Sequence, residues 1–231
     1  MKTIDEICIE YQNIVLDLRD LLAGSGFRGG RANERPKIIL RKPGAGGGEG
    51  LEAIAAEIRG CRRCRLCETR TQGVPGVGAA QPLVMVIGEG PGEEEDVRGE
   101  PFVGPAGKYL DKWLESVGLS RKTNAFIANI VKCRPPGNRD PSPEESQACM
   151  PYLLRQVKAV KPKAVLALGR IAAQNLLRRG EGIGRLRGQP GIWQGLPFLA
   201  TYHPSAVLRD PQLRRPVWED LKTLQRLMRG Q

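Results

Sequence analysis

The chain has 231 residues, of which 40% are hydrophobic and 26% charged, so its length suits one α/β domain with additions or two small domains. It has neither an apolar run long enough to span a membrane nor the pattern of a signal peptide, and we expect a cytoplasmic protein. The formal net charge of +11 also serves solubility, but it favours a polyanionic partner, most often nucleic acid.

Residues 1–50 differ in composition from the rest of the chain. Apolar residues at helical spacing predict an amphipathic helix over residues 4–22. Residues 23–50 follow with nine glycines and an excess of basic side chains, which is typical of a flexible linker. We interpret residues 1–50 as a dispensable extension rather than a docking arm, and we place the folded domain at residues 51–231.

From Leu51 onward, apolar strands alternate with amphipathic helices. Helices are predicted over residues 51–60, 105–118, 142–160, from about 170, and 216–229, and strands over 83–87, 125–131, 164–169 and 196–202. Ser142, Pro143 and Glu145 form a capping box with a proline at the first helical position, which marks the start of the third helix. This alternation predicts a three-layer α/β/α fold whose parallel sheet is covered by helices on both faces.

Each predicted strand is followed at once by an unusual sequence: GEGPG, KCRPPGNR, GR and HPS. Because parallel strands end at one edge of a sheet, where ligands bind, we expect these four loops to meet. The first loop continues as GEGPGEEED, whose five carboxylates would repel a phosphate. It also lacks the Lys-Ser/Thr of a P-loop, so a phosphate cradle is excluded.

The cysteines indicate a metal site. The chain has six of them: Cys8, Cys61, Cys64, Cys67, Cys133 and Cys149. In a cytosolic chain, clustered cysteines point to metal or redox chemistry rather than to disulfides. Four thiolates suit zinc or an iron–sulfur cluster, and the spacing does not decide between these two. By spacing alone Cys67 could replace Cys61 or Cys64, whereas Cys8 is an ordinary apolar position of the first helix.

Three further residues lie at or near the expected binding edge. His203 is the only histidine of the chain, and its position after a strand favours a function although single histidines are more often structural. Asn129 lies near the end of the second strand, where its amide could read a base edge or simply cap a turn. Phe102 follows a glycine-rich turn and is either a core residue or a stacking platform for a planar ring.

Several polar residues in the same loops are candidates for contact with nucleic-acid phosphates. They are Lys132, Arg134, Arg139, Arg185, Arg187, Ser205 and Arg209. Taken singly, each basic residue among them is as well explained as a solvated surface charge.

The stretches GEGPGEEED, PFVGPAGK, NIVKCRPPGNR and YHPS, with the cysteine spacing, resemble family 4 uracil-DNA glycosylases, the iron–sulfur class of that superfamily. The resemblance runs from about Cys61 to the C-terminus. It implies a four-stranded parallel sheet and a structural [4Fe-4S] cluster, with Cys67 as a bystander. The implied cluster ligands are Cys61, Cys64, Cys133 and Cys149. The implied uracil-binding residues are Gly88, Glu89, Gly90, Phe102, Asn129 and His203.

The resemblance also implies a reaction on single- or double-stranded DNA. Uridine is flipped out, with Leu208 as a wedge, and its N-glycosidic bond is hydrolysed to leave an abasic site. His203 would donate a hydrogen bond to uracil O2, and Glu95 would stabilise the cationic sugar and hold a water. Glu93 and Glu94 are alternatives to Glu95. We expect no lysine Schiff base and therefore no strand incision.

Two alternatives follow from the same residues. The substrate base could be hypoxanthine or mismatched thymine, or the chain could be a non-enzymatic nucleic-acid-binding protein with a zinc-bound Cys₄ module. Relatives that trap uracil covalently carry a histidine-containing loop in place of KCRPPGNR, and a chain with one histidine disfavours that reading. We expect a monomer.

Overall fold

The computed structural model describes residues 50–229, so the helix and nearly all of the linker predicted for residues 1–50 lie outside the described residues. Within this range the strands are β1 Val77–Gly78, β2 Val84–Gly88, β3 Ala125–Asn129, β4 Ala164–Leu168, β5 Gly191–Trp193 and β6 Leu196–Thr201. The α-helices of this range are α1 Leu51–Gly60, α2 Leu66–Thr69, α3 Glu93–Arg98, α4 Pro105–Ser116, α5 Pro143–Val160, α6 Gly169–Leu177, α7 Ile183–Leu186, α8 Pro204–Arg209 and α9 Arg214–Met228. None of these helices combines the length and apolar character that a membrane span requires.

The described part of the chain contains one mixed sheet of six strands, in the order β1-β3-β2-β4-β6-β5. The four strands predicted from the sequence form its centre and pair parallel to one another. The predicted sheet of only four strands is wrong, because β1 and β5 add antiparallel edges. These edge strands have two and three residues, which is too short for an apolar alternation to show.

Helices cover both faces of the sheet. Alternate residues of β2 point to opposite sides: Met85 and Ile87 pack in the cluster that includes α1 and α5, whereas Val84 and Val86 pack against α4 and α9. Every residue of the four central strands is buried except the first two of β6. Burial on two faces explains why these strands are continuously apolar instead of alternating, as the three-layer prediction required.

Helix α5 begins where the sequence predicts. The hydroxyl of Ser142 accepts the N–H of Glu145 at 3.2 Å, and the Glu145 carboxylate accepts the N–H of Ser142 at 2.8 Å. Arg139 donates two further bonds to Glu145, at 2.8 and 2.7 Å. The capping box therefore fixes the start of the helix that carries Cys149.

The acidic run after β2 forms a helix that the sequence pattern did not predict. Helix α3 holds four acids, Glu93 to Asp96, in its first turn, where they face the partial positive charge of the helix N-terminus. Glu95 returns its carboxylate to the N–H of Gly92 at 3.1 Å. The negative charge of GEGPGEEED thus starts a helix, and α3 is too short for helical periodicity to be recognised.

A largely buried ion pair joins α9 to Arg187, the residue after α7, and a hydroxyl links the same carboxylate to the end of β6. The Asp220 carboxylate accepts hydrogen bonds from Arg187 Nε at 2.9 Å, Arg187 Nη2 at 2.6 Å and the Thr201 hydroxyl at 2.6 Å. The Asp220 side chain is 2% exposed and that of Arg187 is 20% exposed. Arg187 is therefore part of the scaffold, and the interpretation of this residue as a phosphate contact is wrong.

We expect Arg187→Met to lower the free energy of unfolding by about 3 kcal/mol, because it leaves the Asp220 carboxylate buried without its cation. Chemical denaturation monitored by circular dichroism measures the change. Arg185→Met is the matched control, since this arginine two residues earlier is exposed and should cost less than about 0.5 kcal/mol. Equal stability of the two variants would contradict the role of the pair.

Candidate active site

A cavity of about 490 Å³ opens at the carboxyl edge of the central strands. Its lining comes from the segments 89–92 after β2, 135–140 after β3, 169–170 after β4 and 203–209 after β6, together with Glu95, Phe102 and Ala106. The prediction that the four strand-end loops meet is therefore confirmed.

Gly88 and Asn129 are the last residues of neighbouring strands and are direct partners in the β2–β3 ladder. A Cβ at position 88 would lie 2.5 Å from Asn129 Oδ1 and 2.6 Å from Cζ of Phe102. No side chain fits there, so glycine is what allows the amide and the aromatic ring to approach each other. Neither Gly88 nor Asn129 lines the cavity directly, and both lie just behind Phe102.

Asn129 carries an unused hydrogen-bond acceptor. The residue is 2% exposed, and its Oδ1 has no partner among the described residues. A buried polar atom without a partner costs about 1–3 kcal/mol, so native proteins rarely keep one without a reason. The carbonyl oxygen of this amide is therefore an unused acceptor close to the Phe102 ring.

His203 also lines the cavity and packs against Phe102, with ring centroids 5.5 Å apart and planes inclined by 32°. The N–H of Ser205 donates to His203 Nδ1 at 3.2 Å, and the Ser205 hydroxyl lies 2.7 Å from the same nitrogen. A nitrogen that accepts from a backbone N–H carries no proton, so the neutral ring is protonated at Nε2.

The ring of His203 is neutral over a wide pH range. Burial, with a contribution from the positive charge of Arg209, lowers the pKa of His203 to about 4, while Glu95 opposes the shift. The side chain is surrounded by protein although part of it is accessible through the cavity. At neutral pH it is therefore a hydrogen-bond donor without a charge, like the neutral imidazoles that polarise carbonyl groups in other enzymes.

Of the three consecutive glutamates, Glu95 alone lines the cavity. Glu93 forms an ion pair with Arg134 at 3.4 Å, and Glu94 lies 3.7 Å from Arg98, both at the surface. Oε1 of Glu95 accepts the N–H groups of residues 103 and 104 at 2.9 and 3.1 Å, and Oε2 accepts that of residue 92. Two carboxylate oxygens offer about four acceptor positions, so one position on Oε2 is left.

Glu89 adds a second carboxyl group to the cavity. Burial, followed by the negative charge of Asp140, raises the pKa of Glu89 to about 7, and Arg170 opposes the shift. Arg170 Nη2 pairs with Asp140 at 2.5 Å. Around neutral pH Glu89 is thus partly protonated and can donate a hydrogen bond. Gly90, its neighbour, also lines the cavity, and the assignment of both residues to uracil binding stays a prediction.

The residues predicted to contact DNA differ in how exposed they are. Lys132 is 1% exposed, and its ammonium donates to the Asn129 carbonyl at 2.8 Å and to Gln156 Oε1 at 2.7 Å. The prediction that Lys132 contacts DNA is therefore wrong. Leu208 is 46% exposed on α8, and Arg209 beside it lines the cavity.

The other predicted contacts have protein partners that leave them accessible. Arg134 donates to Asn138 at 2.8 Å in addition to its ion pair with Glu93, and Arg139 holds Glu145 while its side chain stays 47% exposed. Ser205 is occupied with His203. The assignment of these three residues to DNA stays a prediction.

Four cysteines line a second cavity next to α1 and α5, together with Arg70, Lys132 and Tyr152. They are Cys61, Cys64, Cys133 and Cys149. Arg70 Nη1 donates to Cys133 Sγ at 2.9 Å, and the N–H of Lys132 donates to Cys149 Sγ at 3.3 Å. Cys67 does not belong to this lining.

The thiols fit a bound cationic group. Burial raises the pKa of Cys133 to about 12 against the opposing charge of Arg70, so a metal would have to displace its proton. Within residues 50–229 no three metal-ligating side chains converge closely enough to hold a single ion. The four thiols border one small cavity of about 10 Å³.

Sequence reasoning missed several residues of these two sites. Arg70 and Asp140 have partners that are distant in sequence, Cys133 and Arg170, and no local pattern marks them. Asn138 lies within the unusual loop KCRPPGNR, and its contact with Arg134 is local. Arg170 had a usable signal, because it directly follows the end of a predicted strand in AVLALGR.

The chain is similar in sequence to known proteins. A family model described as the uracil DNA glycosylase superfamily matches residues 75–222, and the chain is a member of that superfamily. The type-4 uracil-DNA glycosylase of Archaeoglobus fulgidus is 44% identical over 76% of this chain and 92% of its own length. That of Thermotoga maritima is 40% identical over 74% and 91%. A type-5 uracil-DNA glycosylase of Pyrobaculum aerophilum is 34% identical over 58% and 66%. The chain belongs to the type-4 uracil-DNA glycosylases, as its motifs indicated.

The pKa of His203 can be tested directly, because a tag-free chain contains one imidazole. We expect ¹⁵N NMR to show the Nε2–H tautomer at neutral pH and a titration midpoint of about 4 instead of the ordinary 6.5. Between these two values the unfolded chain binds a proton that the folded chain does not. The contribution of His203 to stability is thus complete above pH 6.5 and is lost as the pH falls towards 4. A midpoint near 6.5 would contradict the neutral donor.

Proposed function

We propose that the chain removes uracil from DNA by hydrolysing its N-glycosidic bond, and that it leaves an abasic site. The observation that carries the proposal is the unpartnered Oδ1 of Asn129 beside Phe102 and the neutral ring of His203. A flat pyrimidine with one N–H and two carbonyl groups matches such a set of donors and acceptors. The names of the type-4 relatives support the same activity.

Recognition of uracil rests on the amide of Asn129. Its Oδ1 accepts N3–H of uracil while the amide NH₂ donates to O4. Cytosine has no N3–H and carries an amine at position 4, so it would leave the buried acceptor unpartnered. Sites built to hydrogen-bond a substrate reject analogues that lack the group, because the unpaired atoms stay buried. Phe102 supplies the surface on which the base stacks. The backbone N–H groups of Gly88, Glu89 and Gly90 supply further hydrogen bonds to the edge of the base.

Two groups stabilise the transition state. As the bond from C1′ to N1 breaks, its electron pair moves to the uracil ring and the sugar becomes cationic. Nε2–H of His203 donates to uracil O2, where the negative charge develops, and one such donor is typically worth about 3 kcal/mol. The remaining acceptor position on Glu95 Oε2 orients a water towards C1′, and the carboxylate stabilises the cation.

The base reaches the cavity only after it leaves the helix stack. Leu208, exposed on α8 beside the cavity, fills the vacated space, while Arg134, Arg139, Ser205 and Arg209 contact the flanking phosphates. Both single- and double-stranded DNA offer an extrahelical uridine to such a site. No lysine lines the cavity in the described part of the chain, which supports hydrolysis without a Schiff base and hence without strand incision.

We propose a [4Fe-4S] cluster as the group between the four cysteines. Four thiols that border one cavity suit a bound metal group, and the likeness to the iron–sulfur class of glycosylases favours a multi-iron cluster over zinc. The cluster would be held by Cys61, Cys64, Cys133 and Cys149. It would stabilise DNA-contacting loops and take no part in the reaction. Residues 51–231 would then form the catalytic domain, with residues 1–50 as an extension. The cytoplasmic location and the monomeric state stay predictions.

Activity is tested by incubating the protein with uracil-containing single- and double-stranded oligonucleotides, followed by hot alkali. We expect alkali-dependent cleavage at uracil and none without alkali. His203→Ala should lower kcat by roughly 100- to 1,000-fold, as the loss of an oxyanion donor does elsewhere. Lys158→Ala, at an exposed position of α5, should leave kcat unchanged. Intact oligonucleotides after treatment with the wild-type protein would contradict the proposal.

The cofactor is tested on purified protein. We expect a brown protein with absorbance near roughly 400 nm and about four irons per chain. Arg70→Met removes the hydrogen bond to Cys133, and it should speed bleaching by a chelator roughly tenfold, as the loss of such outer partners weakens metal sites. Arg59→Met removes only a surface ion pair with Glu52 and should not change the rate. A colourless protein with stoichiometric zinc would exclude the cluster.

A further inference from the structure

Phe102 has a backbone conformation that phenylalanine rarely adopts. Its φ is +56°, in the left-handed region that favours glycine. Bulky residues stay in this region only when their surroundings hold them there, and such residues concentrate at functional sites. The residues that hold the Phe102 main chain therefore determine where its ring lies.

Two side chains of opposite charge form hydrogen bonds with four main-chain groups around Phe102. Glu95 Oε1 accepts the N–H groups of Val103 and Gly104, as described above. Arg121 Nη1 donates to the carbonyl of Pro101 at 2.9 Å, and Nη2 donates to the carbonyl of Phe102 at 2.9 Å. One planar guanidinium group thus holds the carbonyl of Pro101 and the carbonyl of Phe102 itself.

Arg121 is itself fixed and lies away from the substrate. Its Nε pairs with Asp111 Oδ1 on α4 at 2.8 Å, and its side chain is 16% exposed. It does not line the cavity. Gly107, also on α4, passes so close that a Cβ there would overlap the Phe102 carbonyl oxygen. The helix and the arginine therefore hold the same carbonyl from outside the cavity.

We propose that Arg121 is a positioning residue for uracil excision, which acts by fixing the Phe102 ring where the extrahelical base stacks. This inference rests on the proposed function. Arginine is suited to the task because its fork reaches two carbonyls at once, whereas a lysine ammonium offers a single point charge. Small displacements of a group that orients the substrate can lower rates by as much as about 100-fold.

The test is a double-mutant cycle on a single-stranded uracil oligonucleotide. Arg121→Gln should lower kcat/KM by roughly 10- to 100-fold and weaken inhibition by free uracil by a similar factor. Phe102→Ala should cause a loss at least as large. If Arg121 acts through Phe102, the double variant should be no worse than Phe102→Ala alone, since coupled residues are not additive.

Two controls separate positioning from general stability. Arg98→Gln, which removes an exposed ion pair with Glu94, should leave kcat/KM unchanged. Arg121→Lys keeps the charge without the fork, so it should fold and recover only part of the activity. It replaces Arg121→Gln in the cycle if the glutamine variant does not fold.

The outcomes distinguish the two proposals. A wild-type protein that does not release uracil overturns the proposed function. An active wild-type protein with Arg121→Gln at full activity overturns only the inference about Arg121. The same holds if Phe102→Ala is fully active while Arg121→Gln is impaired, or if the losses multiply in the double variant.

Discussion

The site depends on one pairing in the sheet: Gly88 and Asn129 end neighbouring parallel strands and lie opposite each other. Gly88 has no side chain, and this leaves room for the Asn129 amide and the Phe102 ring. A Cβ at this position would collide with both groups. A slip of one residue in the register would turn Asn129 to the other face of the sheet. The buried apolar residues of both strands prevent that slip, so the core on two faces fixes the geometry with which a base is read.

The acids that follow Gly88 serve this geometry in several ways. They start helix α3, and Glu95 then links that helix to residues 92, 103 and 104 while keeping one acceptor position towards the cavity. Three backbone N–H groups thus fix the orientation of this carboxylate beside the cavity. Structure and chemistry therefore share one side chain, and replacement of Glu95 would disturb both.

The sequence was sufficient for the central strands, the starts of α1, α4 and α5 and the meeting of the strand-end loops, since these follow from periodicity, capping residues and the behaviour of parallel strands. It was insufficient for the short helices α2, α3, α7 and α8. It was insufficient for Lys132. A lysine between a strand and a cysteine looks exposed, but neutral acceptors on Asn129 and on Gln156, 24 residues away, allow its burial. Arg121 was invisible for a similar reason: its role depends on carbonyls about 20 residues earlier in the chain, and no pattern marks them.

The central claim is that Asn129 Oδ1 accepts N3–H of uracil, and one comparison tests it most directly. Excision is measured on single-stranded oligonucleotides that carry either uracil or 3-methyluracil, with the wild-type protein and with Asn129→Ala. The account predicts that methylation lowers kcat/KM of the wild-type protein by roughly 1,000-fold or more, because the buried acceptor loses its donor, and that the penalty shrinks markedly in Asn129→Ala. Equal penalties in both proteins, or efficient excision of 3-methyluracil, would contradict it.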